Sequence, residues 1–255
     1  MVSEQSAVKP RRANVILPWY PDGEIAANIA IGGLRDSLTA WMTTRRGIHV
    51  ETLMVAVGAL AGFAAQCAAW DEVRRAKAPI PREGLALAAT ASGERYYFGD
   101  LINGYLVPEG ARDWTLWGFV AAAAVEAGLP ESALPDYTDM FRHVAETVGS
   151  RDFGIPRVPD AHQPHLLPRT ALEMYWSGVR AILEFADGPG PEQRHSVAVA
   201  HWPAILGLVA RQFVLTNKDE LSPEISLRLI MESAIMMSKI DPATVPTMVA
   251  TAGRA

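Results

Sequence analysis

The sequence predicts an all-α fold: a single globular domain of roughly eight to ten helices around one buried central helix, with a minor β-hairpin near residues 84–98. Three observations carry this. Thr52 to Trp70 is an apolar stretch without a charge, helix-starting and helix-stopping residues recur along the chain, and a convincing strand signal occurs in one place.

Residues 1–22 read as an extended arm, because Pro10, Pro18 and Pro21 lack a backbone donor and push their predecessors out of the helical region. Residues 23–255 form the helical domain. Asp22 is placed to cap a first helix to about Arg45, with Ile25, Ile29, Leu38, Trp41 and Met42 as its inner face. Gly47 turns the chain into the central helix, expected from about His49 to Lys77 and ended by Pro79 and Pro81. That helix has the length of a membrane span and carries a GxxxG pair, Gly58 and Gly62. Its richness in Ala and Gly and the presence of Gln66 favour a core helix, since small residues let neighbouring helices approach closely.

Two short apolar runs around Ser92-Gly93, the second ending Arg95-Tyr96-Tyr97-Phe98, give the hairpin. Asp100 is placed to cap a short helix to Leu106, a longer helix from Arg112 is stopped by Gly128, and Asp136 starts another that ends at Gly149. Thr170 and Glu173 have capping-box spacing for a helix to about Ala186. A helix over 192–216 is interrupted by Pro203, a further one over 224–240 is capped by Ser222 with Pro223 first, and Asp241-Pro242 opens a last one. The proline-rich connection 150–168 is the one place for a sub-domain boundary.

Composition excludes several function classes. A net charge of -5 gives no general attraction to nucleic acid or anionic lipid, so neither is expected as a partner. Cys67 is the only cysteine, which removes intramolecular disulfides and thiolate zinc sites and reads as a small buried hydrophobe. No apolar run precedes Pro10, so no signal peptide is expected, and the localisation that follows is cytoplasmic. No Walker loop, GxGxxG, HExxH, GxSxG or EF-hand pattern occurs.

The segment from Tyr96 to Tyr105 combines ring faces with polar tips, and its glycines allow close approach of a ligand. Tyr96, Tyr97, Asp100, Asn103 and Tyr105 are its candidate ligand-binding residues. Asp160, His162 and His165 lie within six residues in the proline-rich connection and are the candidate metal ligands. Asp139, His143 and Glu146 share a helix face, and Glu192 with His195 has a Glu-x-x-His spacing; both read as solvated faces. On the 224–240 helix, Glu224, Arg228, Glu232 and Lys239 fall in one narrow arc and read as its wet stripe, with Ile235 inside the arc as a possible partner contact.

Together these features point to a homo-oligomeric protein, a homodimer sealed through helix 224–240, that binds a small, partly apolar ligand. A metal-assisted enzyme using the loop histidines is the alternative, and an interaction module without a ligand is a third. The sequence assigns no catalytic residue and no cofactor.

Overall fold

The computed structural model describes residues 17–20, 23–76, 84–109, 112–184 and 197–245. Among them are eight α-helices and one two-stranded antiparallel sheet, the all-α architecture with a minor hairpin. One cluster of buried apolar side chains runs from Trp19 to Val245 and takes in every α-helix.

Helix α1 spans Glu24–Met42, with Gly23 at its N-cap and the favourable charge of Glu24 in its first turn. Its inner face matches the predicted one at Leu38 and Met42 only. Ala27, Ala30, Ile31, Leu34 and Leu38 are buried at helical spacing, whereas Ile25 and Ile29 lie on the exposed side and Trp41 is 42 % exposed. Asp22, the predicted cap, lies outside the described residues. The chain leaves α1 at Thr43 and reverses over Thr44–Gly47, where Gly47 takes the positive φ of 94° that the turn requires.

Helix α2, Val50–Arg75, is the central helix, buried on all sides along most of its length. Its apolar circumference is used against five other helices or turns, chiefly α8, α7 and α6. The GxxxG pair sets the closest of these crossings. A Cβ built on Gly58 would lie 2.8 Å from the Ile230 Cα, and one on Gly62 would lie 2.6 Å from the Ala234 Cα and overlap the Ala234 carbonyl. Two backbones therefore touch where the side chains are missing. Of the most apolar window of α2, 94 % is buried inside the protein, and the other stretch of span-like apolarity, Val199–Thr216, is 56 % buried.

Strands β1 (Ala86–Ala89) and β2 (Arg95–Phe98) pair with Ala86 opposite Phe98 and Ala89 opposite Arg95. The hairpin is fastened by its second strand: Tyr96 and Tyr97 are buried, and the Tyr97 N–H donates to the Lys239 carbonyl at 2.6 Å. A helix, α3 (Asp100–Leu106), follows at once, but its N-cap is Gly99 at φ 146°, so Asp100 is its first residue and not its cap. Helix α4 (Leu116–Glu126) begins later than Arg112 because the Thr115 side chain accepts the Gly118 N–H and fixes the start there. Helix α5 (Tyr137–Thr147) starts from Asp136 as predicted.

Helix α6, Pro168–Leu183, begins with Pro168 in its first turn behind Leu167, so Thr170 sits inside the helix and forms no capping box. Pro203 likewise starts helix α7 (Trp202–Thr216) where a kink was predicted. Residues 185–196 lie outside the described set, and with them Glu192 and His195. Ser222 caps α8 (Pro223–Met237) and Pro223 is its first residue, as the sequence indicates. Asp241 then caps only a 3-10 turn, Pro242–Thr244.

Two wheel-based expectations for α8 fail. Glu232, Ile235 and Lys239 are all buried by the chain itself, so the stripe is wet only at Glu224 and partly at Arg228. Arg157 takes the place of water: its backbone N–H donates to Glu232 Oε2 at 2.7 Å and its Nε to Oε1 at 3.0 Å. Arg157 also pairs with Asp139 of α5 at 3.0 Å. The 150–168 connection is thus a strap pinned across α8, and no apolar residue of α8 beyond the half-buried Ile225 faces outward.

Candidate functional site

The five candidate residues of the Tyr96–Tyr105 segment do not converge. Tyr96 packs edge-on against Phe153 at 5.1 Å, in a shallow cleft with Arg169 and Asp241. Tyr97 faces the other way, edge-on to Trp70 at 5.3 Å, and its hydroxyl accepts from Arg95 at 2.8 Å. Asp100 is exposed, while Asn103 accepts a 2.7 Å hydrogen bond from the Lys239 ammonium. Tyr105 is buried and donates to Glu72, which also pairs with Arg112, and the Arg112 guanidinium lies 3.8 Å over the Tyr105 ring. Burial and the Glu72 carboxylate push the Tyr105 phenol up, so this hydroxyl remains a donor.

Tyr96 and Tyr97 each open onto a cavity with room for an organic molecule, about 490 and 520 Å³ respectively, and the one beside Tyr97 has the more aromatic wall. This second cavity lies between α2, α6, the start of α7 and the turn after α8. Phe63, Trp70, Tyr97, Trp176 and Trp202 form its walls. Helical spacing places Phe63, Cys67, Trp70 and Arg74 of α2 on one side of that helix. Trp176 stands edge-on to Phe63 at 4.7 Å and to Trp202 at 6.0 Å, so each ring is held by the next. The Trp202 N–H is satisfied by the Val197 carbonyl at 3.1 Å, but the buried Trp70 N–H has no partner among the described residues. Three arginines rim the cavity, each with a carboxylate within reach: Arg74 with Asp71 (3.3 Å), which Arg75 also pairs at 2.8 Å, Arg95 with Asp241 (3.5 Å) and Arg180 with Glu184 (2.8 Å). The mouth is therefore close to neutral. Burial pushes the Cys67 thiol up to about 12, which leaves it an inert part of the wall.

The loop histidines meet a different set of residues, at the start of α2. Asp160 is exposed, His162 Nδ1 lies 3.0 Å from Glu51 Oε1, and His165 stacks on His49 at 3.6 Å between ring centres. Among the described residues no three His, Cys, Asp or Glu side chains are arranged to hold a metal ion. His49 caps α2 with its ring, an N-cap that helix rules do not name. Its Nδ1 accepts from the Thr52 N–H at 3.4 Å and meets the Thr52 hydroxyl at 2.8 Å, and that hydroxyl oxygen accepts the His165 N–H at 2.8 Å. Nδ1 is thereby the unprotonated nitrogen. Nε2 carries the proton, 3.6 Å from Glu51 Oε2.

This arrangement makes the cap acid-labile. Burial, with the adjacent His165 ring, holds His49 below its ordinary 6.5 against the opposing pull of Glu51. Burial also pushes the Glu51 carboxyl up, but hydrogen bonding from His162 and the nearby imidazoles outweigh it and hold it below 4.5. Both groups bind protons more readily in the unfolded chain, so both contribute stability at neutral pH that is lost on acidification. The His49 contribution fades first, as pH falls below about 6.5, and the Glu51 contribution follows below about 4.5. The melting temperature is expected to fall between pH 7.5 and 5.5, and His49→Asn, which keeps an acceptor at the cap but does not titrate, is expected to flatten that slope. Equal slopes in both proteins would remove His49 as the cause.

Lys239 is the buried charge that the sequence does not reveal. Its side chain is 2 % exposed, lies between the Phe98 and Phe141 rings at 5.6 and 5.4 Å, and makes no ion pair among the described residues. Desolvation lowers it to about 7, against the field of Asp100. Its backbone explains its position, since residues 239 and 240 are held by Tyr97 and by Gln66, whose amide donates to the Ile240 carbonyl at 2.8 Å.

Compared with known protein families, with curated proteins and with solved structures, the chain matches none.

Proposed function

We propose that the protein is a cytoplasmic binding protein for a small, uncharged, largely aromatic molecule held in the cavity walled by Phe63, Trp70, Tyr97, Trp176 and Trp202. The observation that carries this is a cavity of about 520 Å³ walled by five aromatic rings that hold one another edge-on. The volume lies within the range of small-molecule pockets, and rings supply most of the contact. Because each rim arginine is already paired, the site favours a neutral ligand over an acid.

Prodan, a neutral naphthalene with a carbonyl acceptor and polarity-sensitive emission, is a suitable probe. One-to-one saturable binding with blue-shifted emission is expected. Ala243→Trp, at an exposed residue of the cavity mouth, is expected to weaken it about tenfold or more by occupying the entrance. Trp70→Ala removes one aromatic wall and is likewise expected to weaken it about tenfold or more. Absence of saturable binding, or the same affinity in the Ala243→Trp protein, would refute the assignment.

Self-association is proposed through a surface other than α8, whose Ile235 is fully buried. Ile25 and Ile29 of α1, 67 % and 45 % exposed one turn apart, supply an apolar stripe for it.

A further inference from the structure

A second cavity, independent of the aromatic one, lies at the junction of α1, α2 and α6. It encloses about 780 Å³, and Trp41, Tyr175, His49, His165, Arg45 and Arg46 contribute its rings and cationic groups. Its chemistry is the reverse of the first. No aspartate or glutamate is among the residues lining it, in a chain whose net charge is -5. Arg45 and Arg46, at the tip of the Thr44–Gly47 turn, are exposed and make no ion pair with any described residue. The three rim arginines of the first cavity, by contrast, each have a carboxylate within 3.5 Å. Here two guanidiniums face one space with no carboxylate among the residues that line it.

The walls are flat as well as cationic. Trp41 and Tyr175 are parallel, 5.9 Å apart, and a Cβ on Gly178 would meet the Trp41 ring at 2.7 Å, so the glycine lets the indole lie down on α6. His49 and His165 form a second stacked pair. The Glu51 carboxylate is turned to His162 and to His49 Nε2 and is not among the lining residues.

We infer that this cavity is a binding site for a small organic phosphate that carries a flat ring, the phosphate engaged by Arg45 and Arg46 and the ring laid against the aromatic wall. Guanidinium forks match phosphate oxygens bidentately, and a planar ring suits a wall of indole, phenol and imidazole faces. The site does not depend on the aromatic cavity, which has its own neutral ligand class.

Calorimetric titration of the full chain with phenyl phosphate, inorganic phosphate and phenol tests it. Phenyl phosphate is expected to bind saturably, at least about tenfold more tightly than either fragment. Its affinity is expected to fall severalfold between roughly 0.05 and 0.5 M salt. Arg45→Glu with Arg46→Glu, exposed positions on a turn, is expected to reduce binding about tenfold or more while leaving the circular dichroism and prodan binding unchanged. Arg45→Gln with Arg46→Gln repeats the test without charge reversal. Absence of phenyl phosphate binding, or binding indifferent to both double variants, would overturn the proposal. Inorganic phosphate binding as tightly would overturn the part played by the ring, and phenol binding as tightly would overturn the part played by the anion.

Discussion

A single methyl group added at residue 62 is expected to destabilise the protein by about 3 kcal/mol or more, the upper end of overpacking effects in cores. The obstacle is backbone. A Cβ there overlaps the Ala234 carbonyl and sits 2.6 Å from its Cα, so no rotamer change relieves it and α8 must move away from α2 as a unit. Moving α8 disturbs more than one contact, because Ile230, Met231, Ala234 and Ile235 are fully buried along it. Gly58→Ala is expected to act in the same direction, against Ile230, one turn along the same crossing. Gly32→Ala is the control: it lies in α1 with open space around it and is expected to stabilise, as alanine does at a helix position that glycine does not need. Urea unfolding of the three variants separates the cases. A Gly62→Ala protein as stable as the parent would mean that the two helices are not in backbone contact.

Removal of Arg157 is the second large effect. Glu232 is completely buried, and without Arg157 its nearest cation is Arg228, 3.6 Å away. Breaking a buried pair from the side that strands the charge costs about 3–5 kcal/mol, and Arg157→Ala is expected in that range. Glu232→Ala is expected to cost less, since the Arg157 side chain is 34 % exposed and keeps Asp139 as a partner. The double variant is expected to be more stable than the sum of the two losses predicts, because the stranded charge is gone. Denaturant titration of all four proteins closes the cycle. Strict additivity would show that the two residues do not act as a pair.

These two features mark what could be read from the chain. Gly58 and Gly62 were legible, because missing side chains in an apolar helix have few other uses; the partner was not, since nothing local names a helix some 170 residues later. Ser222, Pro223 and Asp136 also were legible, because caps act within three or four residues. Glu232 misled for the opposite reason: its angular place beside Glu224 and Arg228 is real, but an arginine from a loop 75 residues away replaces the water that the wheel assigns to it. The candidate site shows the same limit. Tyr97 was found by its residue type, but Trp70, Trp176 and Trp202 come from three separate helices, and Arg45 and Arg46 acquire meaning from the acids that are missing around them. The proline-rich connection read as a boundary because its prolines exclude regular structure. Its side chains, not its backbone pattern, make it a strap.

The all-round apolar surface of α2 also has a cost in time. The residues that cover it most closely belong to α8, and its Gln66 waits for a carbonyl 174 positions further on. At about 5–20 residues per second of synthesis, roughly 8–30 s separate the emergence of the two helices. Through that interval a nascent segment with the length and apolarity of a membrane span lacks its principal neighbour. Its closest partner emerges long after it, so α2 needs other cover before α8 can supply its own.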